Sequence, residues 1–280
     1  MSIIITGDTT IDLSPELLQQ YNVKTVPLYI NMGERSYRDG IDIQPDDIYA
    51  YEKKTGELPK TSAPSVQDYQ EFFSAMRENY DEVIHFNISS EFSAAHQNAR
   101  LAAENMTGVY AIDSRNLSTG TGLLVLEACD RAERGMDGVS ICKEIEELIP
   151  KVEASFIIHR LDYLAKGGRC SSLLALGANI LKLRPVIMVK NGKMEVGKKF
   201  RGTYAKCVGK YVESQLAGRE DLRTKRIFIT HTRCSEEVLQ AVHTQVGDLQ
   251  SFETILDTTA GCTVTNHCGE DTLGVLFIKK

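Results

Sequence analysis

The stretch EVIHFNISSEFSAAHQNARLAAENMTGVYAIDSRNLSTG, residues 82–120, decides the fold class. It holds a β-branched run at 82–86, an Ala-rich amphipathic pattern at 91–105 and a second apolar run at 109–112. A group of Ser, Asn and Asp residues follows each apolar run. Short apolar runs that alternate with helical patterns are typical of a parallel sheet covered by helices. The stretch therefore predicts strand, helix and strand within an α/β layer.

The same alternation continues through the rest of the first half of the chain. Ser65 precedes an amphipathic pattern and is a good helix N-cap. The other predicted elements of this half are strands at 3–5 and 23–30 and helices at 15–21, 65–77 and 118–134. We predict that this half forms a parallel-sheet α/β domain.

The residues after Pro150 follow a different pattern. Asn191-Gly192 lies between two apolar runs, which predicts a hairpin over 185–200. The remaining predicted elements are strands at 154–159, 226–230, 254–256 and 273–278 and helices at 204–216 and 235–247. The sequence thus predicts two α/β domains, an N-terminal parallel-sheet domain at 1–151 and a C-terminal mixed domain at 152–280.

The composition excludes several classes of protein. Of 280 residues, 42% are hydrophobic and 25% are charged, which is typical of a soluble globular protein. The formal net charge of −6 argues against nucleic acid as a partner. The chain has neither a signal-peptide pattern nor an apolar run long enough for stable membrane insertion. Its seven cysteines form no Cys-x-x-Cys pair, so we expect reduced thiols and a cytoplasmic location.

The first half contains four polar clusters; three follow predicted strands, where open α/β sheets bind their ligands, and the one at 60–65 ends a loop and opens a helix. Each cluster taken alone also suits a helix N-cap, and that interpretation stays open. Together they predict one crevice that is lined by neutral donors and suited to a carboxylate or a phosphate. The clusters are 8–12, 60–65, 87–93 and 113–120.

Three features of the second half are also candidates for function. Residues 161–169 end in a Gly-Gly turn followed by Arg169, which is either a helix C-cap with a surface arginine or part of a site. His267 lies in a Gly-containing segment that we predict to be a loop, and it is either structural or functional. The run 173–181 is apolar at helical spacing, so it is a core helix or the wall of a ligand tunnel. The candidate wall residues are Leu173, Leu176 and Ile180.

Several of these motifs occur in an order that is similar to one known family. They are Lys-Thr-Ser-x-Pro-Ser at 60–65, Ile-Ser-Ser-x-x-Ser at 88–93, Asp-Ser-x-x-x-Ser-x-Gly-x-Gly at 113–122, Leu-x-x-Leu-x-x-Gly-Gly-Arg at 161–169 and His-x-Gly at 267–269. In this order they resemble the DegV family of bacterial lipid carriers. The resemblance implies one long-chain fatty acid between the two lobes, with no other cofactor and no catalysis by the carrier itself. It also implies a separate ATP-dependent kinase subunit that phosphorylates the carboxylate, for use in phospholipid metabolism.

The resemblance assigns roles residue by residue. Thr61 and Ser93 match the hydroxyls that bind the carboxylate, and His267 matches the C-terminal histidine of the same site. Ser62 and Ser90 are neighbours that share the hydrogen bonding, and Arg169 matches the arginine that faces the phosphate or the kinase. The chain departs from the family pattern with Ala-Ala at 94–95, where Gly-Thr is usual, and with Glu-Asp at 270–271, where Pro-Gly is usual.

Two other functions remain as alternatives. The same hydroxyl-lined crevice suits a carrier of another small amphiphilic carboxylate without a kinase partner. A serine hydrolase would require Ser93, His267 and a carboxylate such as Asp8 to form a triad, but the chain lacks a Gly-x-Ser-x-Gly elbow. No P-loop and no His-Glu-x-x-His motif is present, so we predict neither nucleotide chemistry nor a metal site.

Overall fold

A computed structural model of the chain describes residues 2–170 and 183–280. Within these ranges, the strands are β1 (Ile3–Asp8), β2 (Lys24–Val26), β3 (Tyr29–Met32), β4 (Arg35–Arg38), β5 (Lys60–Ser62), β6 (Glu82–Asn87), β7 (Val109–Asp113), β8 (Val152–Ile157), β9 (Arg184–Lys190), β10 (Lys193–Phe200), β11 (Leu222–His231), β12 (Thr254–Thr259) and β13 (Leu273–Lys279). The helices are α1 (Pro15–Gln20), α2 (Pro45–Thr55), α3 (Val66–Arg77), α4 (Ala95–Ala103), α5 (Thr119–Glu133), α6 (Gly138–Leu148), α7 (Leu161–Gly167), α8 (Tyr204–Leu216), α9 (Glu236–Leu249) and α10 (Cys262–Cys268). None of these helices is long and apolar enough to cross a bilayer.

The first half contains the predicted parallel sheet, with strand order β2-β1-β6-β7. Because side chains alternate along a strand, neighbouring residues of β1 and β6 face opposite layers. Ile4 and Val83 pack against α3 and α4, whereas Ile5 and Ile84 pack against α5 and α6. All six residues of β6 are buried, as expected for a strand covered on both faces. The α/β prediction for this half is confirmed.

The second half forms a six-stranded mixed sheet in the order β10-β9-β8-β13-β11-β12. Only the β11–β12 pair is parallel among its neighbouring strands. The predicted hairpin is present as β9 and β10. Its turn residues Asn191 and Gly192 have φ of 50° and 82°, as a type I′ turn requires. Helices α8 and α9 cover one face of this sheet.

Helix α5 lies between the two sheets and joins their cores. Every residue from Thr119 to Arg131 is buried. Its apolar side chains belong to one cluster that contains Phe86 of the first sheet and Phe228 of the second. The two halves therefore share a continuous core, and the boundary that we predict at 151–152 lies at the start of β8.

A small antiparallel sheet with the order β4-β3-β5 was not predicted. The single strand predicted at 23–30 is wrong, because the chain changes sheets between β2 and β3. Pro27 lies at this junction, where it lacks the N–H needed to continue a ladder. The small sheet matters for function because its strand β5 carries Thr61.

Candidate functional site

A cavity of about 250 Å³ lies where β5, the segment before α4, α10 and β10 meet. Five residues predicted from the sequence line it together: Thr61, Ser62, Ser93, Arg169 and His267. The apolar part of the lining includes Leu28, Ile88, Phe92, Leu117, Met194 and Val264. The candidate wall residues Leu173, Leu176 and Ile180 lie outside the described residues. The cavity thus combines a polar rim with an apolar interior.

Thr61 and His267 are in direct contact, although 206 residues separate them in sequence. The Thr61 Oγ1 atom lies 3.1 Å from Nε2 of His267. Thr61 is placed by its pairing with Ile30 in the small sheet. The prediction that His267 lies in a loop is wrong, because it occupies the last turn of α10. The helix places the imidazole at a fixed point on the cavity wall.

The Gly-Gly turn at the end of α7 packs against the Nδ1 side of the His267 imidazole. A Cβ atom at Gly167 would lie 2.3 Å from His267 Nδ1, so only glycine fits here. Gly168 has φ of 67° and ends α7 in the left-handed conformation. The Nδ1 atom is buried and has no hydrogen-bond partner among the described residues. The sequence did not reveal this contact between the Gly-Gly-Arg turn and the histidine.

His267 is neutral at physiological pH. Burial, together with the nearby positive charge of Arg169, lowers the pKa of His267 to about 4. A neutral imidazole has one N–H donor and one acceptor, so Nε2 can either donate to an anion or accept from Thr61. The ring therefore adds a neutral donor to the cavity rather than a fixed positive charge.

This environment predicts how His267 behaves in a pH titration. Because the folded-state pKa is about 4 against the ordinary 6.5, the unfolded chain binds this proton first as pH falls. The contribution of His267 to the free energy of unfolding should therefore decline between about pH 6.5 and pH 4. In NMR spectra its imidazole resonances should stay constant from pH 8 down to about pH 5.5.

His231 provides an internal control in the same spectra. Burial alone would lower its pKa, but the hydrogen bonds to Asp257 and to the Thr232 carbonyl, together with the charge of Asp257, raise the pKa above the ordinary value. His231 should therefore titrate above pH 6.5 while His267 does not. A His267 midpoint near 6.5 would contradict the buried, neutral ring.

Ser93 lies in a turn just before α4. Its Oγ accepts a hydrogen bond from the Ala95 N–H at 3.2 Å, which leaves the hydroxyl proton available for the cavity. The sequence placed the start of this helix at Glu91, which is wrong by four residues. Backbone N–H groups of Phe92 and Ser93 bond to the Ser89 carbonyl and form a turn instead. This turn directs Ser93 toward the site.

Ser62 and Arg169 lie at the exposed rim. Ser62 Oγ accepts a hydrogen bond from Asn31 Nδ2 at 3.1 Å. The Arg169 guanidinium donates to the carbonyl of Gly167 at 2.7 Å and, more weakly, to that of Phe92 at 3.5 Å. These backbone contacts orient the arginine at the mouth of the cavity, and no acidic side chain of residues 2–170 or 183–280 forms an ion pair with it.

The expectation that all four polar clusters converge on one crevice is only half right. The clusters at 60–65 and 87–93 supply cavity hydroxyls, but the other two have structural roles. Asp8 accepts hydrogen bonds from several buried groups below the site. Asp113 binds the Ser90 hydroxyl at 2.6 Å, and Arg115 donates to the Asn191 carbonyl in the β9–β10 turn. The Arg115–Asn191 hydrogen bond holds the β9–β10 hairpin, which carries Met194, against the first half of the chain.

The triad required for a serine hydrolase is not assembled in the described part of the chain. Asp8 is hydrogen-bonded to His85 at 3.3 Å, whereas the Nδ1 atom of His267 has no partner there. Ser93 Oγ is bonded to the backbone of Ala95. Residues 2–170 and 183–280 also contain no group of three or more His, Cys, Asp or Glu that could hold a metal ion.

The departures from the family pattern lie in two different places. Ala94, which stands where glycine is usual, lines the cavity, whereas Ala95, which stands where the threonine hydroxyl is usual, is not part of the lining. Glu270 is bound by Arg233 at 2.8 Å, and the same arginine contacts Asp46. Within the described residues, neither Glu270 nor Asp271 is part of the cavity lining.

Comparison with known sequences identifies the family. The sequence model described as "Uncharacterised protein, DegV family" matches residues 2–280. The chain belongs to the DegV family. It is 32% identical over 282 residues to a DegV domain-containing protein of Deinococcus radiodurans, covering 98% of each chain. The family predicted from the motifs is thereby confirmed.

Solved structures of DegV proteins have the same fold. A DegV family protein of Thermus thermophilus, whose structure is described as showing fatty acid binding, superimposes with a TM-score of 0.90 at 29% identity, covering 100% of both chains. A stearic acid-binding protein of Eubacterium ventriosum gives a TM-score of 0.82 at 26% identity, covering 99% of this chain and 98% of the other. These matches confirm the predicted fold class.

Proposed function

We propose that this DegV protein binds one long-chain fatty acid, with the carboxylate at the rim of the cavity and the tail in its apolar interior. The observation that carries the proposal is the meeting of Thr61, Ser93 and His267 at one cavity whose remaining wall is largely apolar. The fatty acid-binding structures from Thermus thermophilus and Eubacterium ventriosum support the same class of ligand.

The polar rim suits a carboxylate for a physical reason. A carboxylate at an apolar cavity loses hydration and needs hydrogen-bond donors in exchange. The hydroxyl proton of Ser93 and the one proton that the Thr61–His267 hydrogen bond leaves free can supply two such donors. None of these donors is a bidentate guanidinium clamp, so the bound oxygen stays free to react.

The tail accounts for most of the affinity. Each buried methylene contributes roughly 0.8 kcal/mol, so a sixteen-carbon chain offers on the order of 10 kcal/mol before ordering costs. Side chains such as Ile88, Phe92 and Leu117 provide apolar surface near the head group.

Replacing Thr61 or Ser93 with alanine should weaken binding of hexadecanoate about tenfold each, because a hydrogen bond to a charged group is lost. Binding of hexadecanol, which has the same tail and no carboxylate, should change much less. Displacement of a fluorescent fatty acid measures both affinities. Ser90→Ala is the matched control, since its hydroxyl binds Asp113 outside the cavity. Equal losses for the acid and the alcohol would contradict the head-group assignment.

We further propose that the protein presents the bound carboxylate to a separate ATP-dependent kinase subunit. Arg169 lies at the cavity mouth with its guanidinium oriented by two carbonyls, where it can meet the incoming phosphate or the kinase. Incubation of loaded protein with ATP and a bacterial fatty-acid kinase subunit should yield an acyl phosphate, which hydroxylamine traps. Arg169→Ala should lower this yield while hexadecanoate binding persists. A yield unaffected by Arg169→Ala would refute this role.

A further inference from the structure

The N-terminus of α10 is held by two buried carboxylates from the first half of the chain. Asp39 Oδ1 accepts from the Cys262 N–H and Asp39 Oδ2 from the Thr263 N–H, both at 2.9 Å. Asp12 Oδ1 accepts from the Gly261 N–H, also at 2.9 Å. Asp39 is 1% exposed and Asp12 is 5% exposed. Three consecutive backbone donors are thus bound by two acidic side chains.

Asp39 is also attached to the small sheet that supplies Thr61. It follows β4 directly, and its own N–H donates to the Leu28 carbonyl next to β3 at 2.8 Å. Strand β5, on the other side of β3, carries Thr61. The opposite end of α10 carries His267. One rigid unit therefore fixes both the threonine and the helix that brings the histidine to it.

Helix α10 needs such an anchor. It has seven residues, which is too short to be stable without tertiary contacts. Its β-branched Thr263, Val264 and Thr265 are also weak helix formers. The hydrogen bonds that Asp39 and Asp12 accept at the positive, N-terminal end of the helix are strong and directional. They define where the helix starts and therefore where its last turn places His267.

We propose that Asp39 is a positioning residue for the head-group site. By binding the first turn of α10, it sets the 3.1 Å contact between His267 Nε2 and Thr61 Oγ1 and thereby the geometry of the carboxylate donors. Asp12 supports it through Gly261. This inference rests on the proposed function, because the donors it positions are those assigned to the fatty acid.

The test is Asp39→Asn, which keeps one acceptor oxygen but directs an amide N–H at a backbone N–H. The affinities for hexadecanoate and hexadecanol are measured in parallel. We expect a loss of about tenfold for the acid and less than twofold for the alcohol. Asp42→Asn is the matched control, since this carboxylate lies in the same turn and, among the described residues, binds Arg38 alone on an exposed surface. It should leave both affinities unchanged.

A second variant covers the case in which Asp39→Asn fails to fold. In Gly261→Ala, the added Cβ would lie 3.2 Å from Asp12 Oδ1 and 3.5 Å from Asp39 Oδ1. The closer contact requires the Asp12 carboxyl group or the start of the helix to shift by a few tenths of an ångström, and no charge is removed. The ¹⁵N resonances of the His267 ring should shift in both variants, which a general loss of stability in a folded protein would not cause.

The outcomes separate this inference from the proposed function. A wild-type protein that takes up no hexadecanoate would overturn the proposed function and the positioning role with it. Normal uptake by wild type, with an unchanged acid-to-alcohol ratio and unchanged His267 resonances in the variants, would overturn only the positioning role. An equal loss for acid and alcohol would also overturn it.

Discussion

Gly167→Ala is expected to lower the affinity for hexadecanoate at least about thirtyfold, the largest effect of any single methyl group added at the site. The new Cβ would lie 2.3 Å from His267 Nδ1, which is far inside van der Waals contact. To relieve this clash, either the imidazole moves away from Thr61 or the Gly-Gly turn moves and displaces Arg169. Both shifts disturb the donors proposed for the carboxylate. Isothermal titration with hexadecanoate measures the loss.

Gly168→Ala is the control for this variant. Gly168 has φ of 67°, so alanine is strained there, but its Cβ would meet nothing within 4 Å. We expect a loss of about 1 kcal/mol in the free energy of unfolding and nearly unchanged affinity. If Gly167→Ala bound hexadecanoate as tightly as Gly168→Ala, the close packing of the turn against His267 would have no role in binding.

Asp8→Ala is expected to lower the free energy of unfolding by about 3–5 kcal/mol. Asp8 is fully buried and accepts hydrogen bonds from Tyr69 at 2.7 Å, from Asn87 at 3.1 Å and from the Ile88 N–H at 3.1 Å. Burial holds the pKa of Tyr69 well above its ordinary value, so the phenol is a donor. Alanine would leave all these groups without their acceptor.

Urea denaturation measures this effect, with Asp42→Ala as the control. Asp42 forms an exposed ion pair with Arg38, so its loss should cost less than about 1 kcal/mol. The Asp8 network supports the start of the turn that leads to Ser93, because the Ile88 N–H is one of its donors. A cost below about 1 kcal/mol for Asp8→Ala would show that the buried network does not hold this turn.

The sheets could be predicted because their strands are short apolar runs that are separated by helical patterns. Strands β1 and β6 are covered by helices on both faces, and each has consecutive β-branched residues, Ile3–Ile5 in β1 and Val83 and Ile84 in β6. The β9–β10 hairpin could be predicted because Asn191-Gly192 favours one turn type. These signals are local in sequence. The order of the polar motifs along the chain additionally indicated the family.

The small sheet and helix α10 could not be predicted, because neither has a local signal in the sequence. Strand β4 has the sequence Arg-Ser-Tyr-Arg and is largely exposed, so it has no apolar alternation. Helix α10 depends on Asp39, which is more than 220 residues away in sequence. The contact of Gly167 with His267 is equally non-local. Only the fold shows why these residues belong to the same site.

Native mass spectrometry of the purified protein, with the ligand identified after denaturation, shows whether a fatty acid is bound. We expect a long-chain fatty acid at close to one per chain in the wild type and a largely empty Gly167→Ala variant. A wild-type protein that purifies empty and takes up neither hexadecanoate nor stearate from solution would refute fatty-acid binding.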